Sequence, residues 1–175
     1  MELPYNCLGF GRSSYQIDNM RIYLLVYRLL TIFLASPKLS DLCSDDIESS
    51  GSRLKQEFEQ SEIEHLIIQI ATLIRVYDDQ IRKLPGIKVE NIYNPDVGEL
   101  YSEFKKRNKE ALRLREACNK IIHAKTIKYE IEKKSTIWQS YLKPFIYLYG
   151  EKNRKKWKAV LDIKRFCLSI VDRFG

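Results

Sequence analysis

Between Phe58 and Ile81 the apolar residues Phe58, Ile63, Leu66, Ile67, Ile70, Leu73, Ile74, Tyr77 and Ile81 recur three or four positions apart. That is the stripe of an amphipathic helix. A helix with one apolar face must bury it, so the rest of the chain has to supply partners. The spacing predicts a helix from about Arg53 to Leu84, ended by Pro85-Gly86.

An earlier helix is predicted from Gln16 to Ala35, with Ser36-Pro37 as its stop and a Ser- and Asp-rich loop from Lys38 to Ser52. After Asn94-Pro95 a third helix is predicted from Asp96 to His123, about 42 Å long, with Phe104, Ala111, Leu114, Cys118, Ile121 and Ile122 on its packing face. Beyond His123 the period becomes alternating. Ile127, Tyr129 and Ile131 read as a strand, and Phe145–Tyr149 and Lys156–Asp162 read as the arms of a hairpin around a loop at Gly150–Arg154. Asp162 can cap a closing helix carrying Phe166, Ile170 and Phe174. No repeat or linker divides the chain. The expected fold is therefore mainly α: one domain over residues 1–175, a helical bundle of three main helices with a small antiparallel β-hairpin sheet and a C-terminal helix.

A chain of 175 residues buries roughly 70% of its unfolded surface, enough for a core without disulfides or metal. Cys7, Cys43, Cys118 and Cys167 form no Cys-x-x-Cys pair, and only His65 and His123 could join them. No metal or other cofactor is expected, and Cys118 and Cys167 read as buried reduced thiols. His65, between Glu64 and Leu66, reads as a surface histidine. Gly9 and Gly11 lie in an irregular lead-in without the Gly-Lys-Ser/Thr ending of a phosphate loop. The apolar run Met20–Ala35 contains Arg21 and Arg28 and is short of the roughly 20 apolar residues of a spanning helix. A core helix in a cytoplasmic protein, with no membrane, is the expectation; a peripheral membrane protein resting on this helix is the least favoured reading.

Charge is divided along the chain. Residues 1–100 carry 10 basic and 15 acidic side chains, a net of −5, and residues 101–175 carry 20 basic and 8 acidic, a net of +12. A basic half of this strength permits binding to a polyanion such as RNA, since clustered Lys and Arg release counterions from a phosphate backbone.

Arg115, Asn119 and His123 stand at i, i+4 and i+8, one row at the border of the third helix's packing face. The run Leu114-Arg-Glu-Ala-Cys-Asn-Lys-Ile-Ile-His-Ala124 resembles the signature helix of the HEPN superfamily, named for higher eukaryotes and prokaryotes nucleotide-binding. The tract with Leu148-Tyr-Gly150 and Trp157–Ile163 resembles the C-terminal part of uncharacterised bacterial proteins carrying a similar helix. In that superfamily an Arg, commonly followed by a polar residue, precedes the His; here Cys118 stands immediately before Asn119, and Arg115 is the nearest upstream arginine. The resemblance implies a helical-bundle homodimer that binds RNA and cleaves it by metal-independent transesterification, in a bacterial toxin or defence system. His123 would be general acid or base, Arg115 would hold the phosphoryl charge, Asn119 would orient the phosphate, and Lys120 would add a second cation. The alternative is a non-catalytic dimerisation module or one that holds a partner protein, with the three side chains serving structure.

Lys152, Arg154, Lys155, Lys156 and Lys158 crowd the proposed hairpin, with Trp157 among them and Tyr147 and Tyr149 on the facing arm. Cations interleaved with aromatics suit single-stranded nucleic acid. Alternation places Trp157 opposite Lys156 and Lys158. The plainer expectation is accordingly that Trp157 and the tyrosines face the core while the lysines keep the hairpin edge soluble.

Overall fold

A computed structural model describes residues 18–43, 48–83, 85, 93–102, 109–134 and 139–174. Cys7, the Gly9–Gly11 lead-in and Phe104 lie outside the described residues.

In chain order the elements are α1 (Asn19–Asp41), α2 (Ser50–Leu54), a π-helical turn (Lys55–Glu59), α3 (Gln60–Ile81), β1 (Asp96–Tyr101), β2 (Lys109–Arg113), α4 (Leu114–Ile122), β3 (Thr126–Glu132), β4 (Tyr141–Lys152), β5 (Lys155–Asp162) and α5 (Ile163–Phe174). The five strands form one antiparallel sheet in the order β2-β1-β5-β4-β3. This overturns the expected fold class. The molecule is a mixed α/β structure in which a full sheet, rather than a lone hairpin, supports the helices.

The correction falls mainly on residues 96–113, where β1 and β2 replace the first two thirds of the predicted third helix. A helix there would have carried Gly98 in its interior at a cost of about 1 kcal/mol. In the sheet Gly98 sits opposite Leu161, and a Cβ on it would stand 2.0 Å from the carbonyl oxygen of Val160. Its missing side chain is thus what lets β1 approach β5. Val97, Leu100 and Leu112 are buried by this pairing. Tertiary pairing outweighs the helical preference of a Glu- and Lys-rich segment, because intrinsic propensity amounts to tenths of a kcal/mol per residue and burial of one Leu to about 2 kcal/mol.

A smaller correction concerns α1, which runs through Pro37 to Asp41 instead of stopping at Ser36. Ser36 and Ser40 are buried, and the Leu142 N–H of β4 donates to Ser36 Oγ at 2.9 Å, tying the helix end to the sheet. Asp18 caps the start, its carboxylate accepting from the Met20 and Arg21 N–H groups.

The core lies on one face of the sheet. Ile146 and Leu148 of β4, Trp157, Ala159 and Leu161 of β5, and Val97 and Leu100 of β1 meet Ile22, Leu29 and Phe33 of α1, Ile63, Leu66, Ile67, Ile70 and Ile74 of α3, and Ile163, Phe166 and Ile170 of α5. The stripe read from Phe58 to Ile81 thus supplies the inner face of α3. Phe58 at its start stays exposed, on the π-helical turn.

Candidate nucleic-acid interface

α4 carries Arg115 and Asn119 and is closed by His123. Arg113 gives it no side-chain cap. Asn94 acts in its place, its side-chain oxygen accepting from the Arg115 N–H at 2.9 Å, and the Pro95 carbonyl accepts from the Leu114 N–H. At the other end His123 closes the helix, its N–H donating to the Asn119 carbonyl.

The three candidates do not converge. Arg115 turns toward α3, with Nη1 2.6 Å from Asp78 Oδ2 and Nη2 2.6 Å from Asp79 Oδ1. Its charge is already matched by two carboxylates, and the Arg115 guanidinium beside Asp79 holds that carboxyl below its ordinary pKa. Asn119 donates to Glu116 at 3.0 Å. His123 is exposed at the mouth of a cleft of about 450 Å³ whose walls include Asn119, Lys120, Lys152 and Trp157. Lys120 is nearly buried: its ammonium pairs with Glu116 at 3.1 Å and sits 4.5 Å from the Trp157 ring centre. That ring lies against Gly150, where a Cβ would come within 2.1 Å of Trp157 Cζ2. Glu116 and Glu151 also line the cleft, setting two carboxylates against the two lysines there.

Cys118 is fully buried, and desolvation pushes its thiol up to about 12. Cys167 behaves alike. His65 is exposed on α3, its ring Nε2 2.6 Å from the Gln69 amide nitrogen.

The basic hairpin closes more tightly than predicted. β4 and β5 extend to Lys152 and Lys155, and the turn is Asn153-Arg154 alone, both with positive φ (51° and 61°). This is the left-handed two-residue turn that matches strand twist. Pairing sets Glu151 opposite Lys156 and Lys152 opposite Lys155, so alternation sends Lys156 and Lys158 to one face and Lys152 and Lys155 to the helix side. Arg154 stands exposed at the tip.

Trp157 faces the core, as alternation required. The tyrosines do not. Tyr147 and Tyr149 share the opposite face with Lys158, and across it Tyr101 of β1 and Lys128 of β3 complete a four-strand array. Lys158 stands opposite both Tyr101 and Tyr149, and Lys128 opposite Tyr147. The Lys158 ammonium lies 4.8 Å from the Tyr147 ring and 5.7 Å from the Tyr101 ring; that of Lys128 lies 5.7 Å from Tyr149. Among the described residues no helix covers this side of the sheet, and Tyr147, Tyr149 and Lys158 on β4 and β5 are half-buried.

Carboxylates hold the rings. Tyr147 donates to Glu130 at 2.6 Å, which pushes its phenol up to about 12, and Tyr101 donates to Glu99 at 2.8 Å, which also raises it. Both rings stay neutral near pH 7 and do not repel phosphate. Glu99 is paired with Lys109, and Glu130 lies 3.7 Å from Lys143. Toward β2 the face holds a depression lined by Asp96, Glu99, Glu110 and Asp162, with Lys109 paired to Glu99 and Arg165 to Asp162. The cationic path runs from Tyr101 across Lys158 to Lys128.

Tyr101 escaped sequence reasoning because its segment reads as helix. Lys128 was legible: alternation about Ile127 and Tyr129 points it away from the core. Comparison with family models, curated proteins and solved structures gives no match for this chain.

Proposed function

We propose that this chain binds single-stranded RNA across the open face of its sheet, without cleaving it by the Arg115, Asn119 and His123 scheme. The observation that carries the reading is the Lys158 ammonium held between the rings of Tyr101 and Tyr147 on a face that no described helix covers.

Such a face offers both groups that a single strand needs. A base can take the place of a lysine over a tyrosine ring while the freed ammonium moves to the adjacent phosphate. Giving up an exposed cation–π contact costs about 0.5–1 kcal/mol, and stacking a base on the ring returns about 1–3 kcal/mol. The exchange is favourable before any phosphate contact is counted. Bases are splayed out in single strands and shielded in duplexes, so the array selects single strands. A face four strands wide accommodates about two or three bases.

Cleavage by the superfamily route would require Arg115 to face phosphate, and its two terminal nitrogens are engaged by Asp78 and Asp79. The shared ground with the HEPN resemblance is RNA as ligand, on a different surface.

The test is fluorescence anisotropy with a labelled oligouridylate. Lys158→Glu and Tyr147→Ala are expected to weaken binding about tenfold each, with unchanged melting temperatures. Equal affinity in both variants would overturn the reading. So would a dimer in the parent that Tyr147→Ala converts to monomer, since the face would then be an interface between copies.

A further inference from the structure

Among the described residues α1 alone is long and apolar enough to cross a membrane. It is not free to do so: Ile22, Leu25, Val26, Leu29 and Phe33 are buried in the core, and withdrawing them into a bilayer would dismantle the domain. The opposite side of the same helix is also apolar, and it faces solvent. Met20, Leu24, Tyr27 and Leu34 are 71%, 49%, 67% and 58% exposed. At 100° per residue these four fall within one narrow strip, with Arg28 beside it, Arg21 at its flank and Lys38 on its line one turn past Leu34.

We infer that this strip rests on an anionic lipid surface, the helix lying in the interfacial plane with its apolar side chains inserted. Charge selects that occupant. Arg21, Arg28 and Lys38 are exposed and make no ion pair among the described residues. The strip itself holds no carboxylate: Asp18 caps the helix start, and Asp41 at its end is held by Lys134. A second copy docking through the same strip would bring three cations against three cations. An anionic leaflet attracts all three, long Arg and Lys stems can reach its headgroups, and an aromatic such as Tyr27 favours the interface. The neighbouring groove beside Leu54 and Phe58 meets the strip at Thr31 and carries Glu59 and Glu62 on its far wall. Because α1 packs on the helical side of the sheet, the lipid-facing strip and the tyrosine-lysine face look in opposite directions.

The experiment is sedimentation of the purified chain with vesicles. Equimolar phosphatidylserine and phosphatidylcholine should carry the protein into the pellet, and pure phosphatidylcholine should not. Leu24→Ser/Leu34→Ser, which keeps every charge and alters only exposed positions, should weaken partitioning about tenfold or more, and Arg28→Ala about fivefold. Lys158→Glu should pellet like the parent, which separates this strip from the sheet face, and circular dichroism melts should coincide. Three results would overturn the inference: no pelleting with the mixed vesicles, full pelleting of the double serine variant, or a dimeric parent that the double variant renders monomeric.

Discussion

Arg173, in the last turn of α5, donates to the carboxylate of Asp78, in the last third of α3, and both side chains are withdrawn from water. Asp78 also takes Arg115 from α4 on its other oxygen, and Arg82 approaches it at 3.7 Å. One carboxylate therefore joins three helices that are distant in sequence. Around it the rings of Tyr77 and Phe174 meet at 4.5 Å, and the Arg173 guanidinium lies 5.7 Å from the Tyr77 ring.

Removing Asp78 leaves Arg173 buried without its anion. Asp78→Ala should destabilise the domain by about 3–5 kcal/mol, the usual consequence of deleting one partner of a buried pair. Arg115→Ala, which vacates a partly solvated position, should cost less. Urea denaturation followed by circular dichroism measures both, and equal small losses would show that the hub is not a structural joint.

His123 faces an open cleft in which Asn119 and Lys120 are already engaged by Glu116. His123→Ala is expected to leave thermal stability and RNA affinity unchanged. Mixed RNA incubated in chelator with the parent or the variant should stay intact in both, as gel electrophoresis would read out. Cleavage by the parent that the variant lacks would restore the catalytic assignment.

Arg154 occupies the second turn position with φ 61°. Side chains with a Cβ pay about 1 kcal/mol there and glycine does not. Arg154→Gly should raise the melting temperature by roughly 2–4 °C. If the tip cation also contacts RNA phosphates, the same variant should lower affinity, and anisotropy with the labelled oligomer would separate the two effects.

Cys118 and Cys167 are buried thiols with pKa raised to about 12 by desolvation. The unfolded chain gives up these protons near its ordinary thiol pKa of about 8.5. Their contribution to stability is therefore complete below that pH and is lost progressively as pH rises from about 8.5 toward the folded value. Iodoacetamide at mildly alkaline pH should leave both unmodified in the native protein and label both in urea, read by mass spectrometry.

Reading the residues in order recovered the elements whose pattern is local. The stripe from Ile63 to Ile74 lies buried in α3, the alternation about Trp157 gives β5 its two faces, and Phe166 and Ile170 give α5 its inner side. What could not be read there depends on partners far away. Residues 96–101 become a strand because β5, some sixty positions later, offers an edge to pair with, and Gly98 admits the approach. Arg115 leaves its expected row because Asp78, 37 residues earlier, outcompetes water for it. Helical spacing gives Arg115, Asn119 and His123 neighbouring positions along the chain; it cannot say which neighbour each side chain will choose. The tyrosine-lysine face was half legible, since Tyr147, Tyr149 and Lys158 stood out and Tyr101 and Lys128 needed the strand order.

Of the five described strands, the middle one of the sheet, β5, is also the last to leave the ribosome. Until β5 has been synthesised, β1 and β4 lack the neighbour that joins them, and α1 and α3 have no completed platform for their inner faces. The nascent chain must carry those apolar helices unsheltered until then. A stop codon a few residues before Lys155 would thus remove the keystone of the whole assembly, and such fragments should be chaperone clients or aggregates, not smaller folded domains.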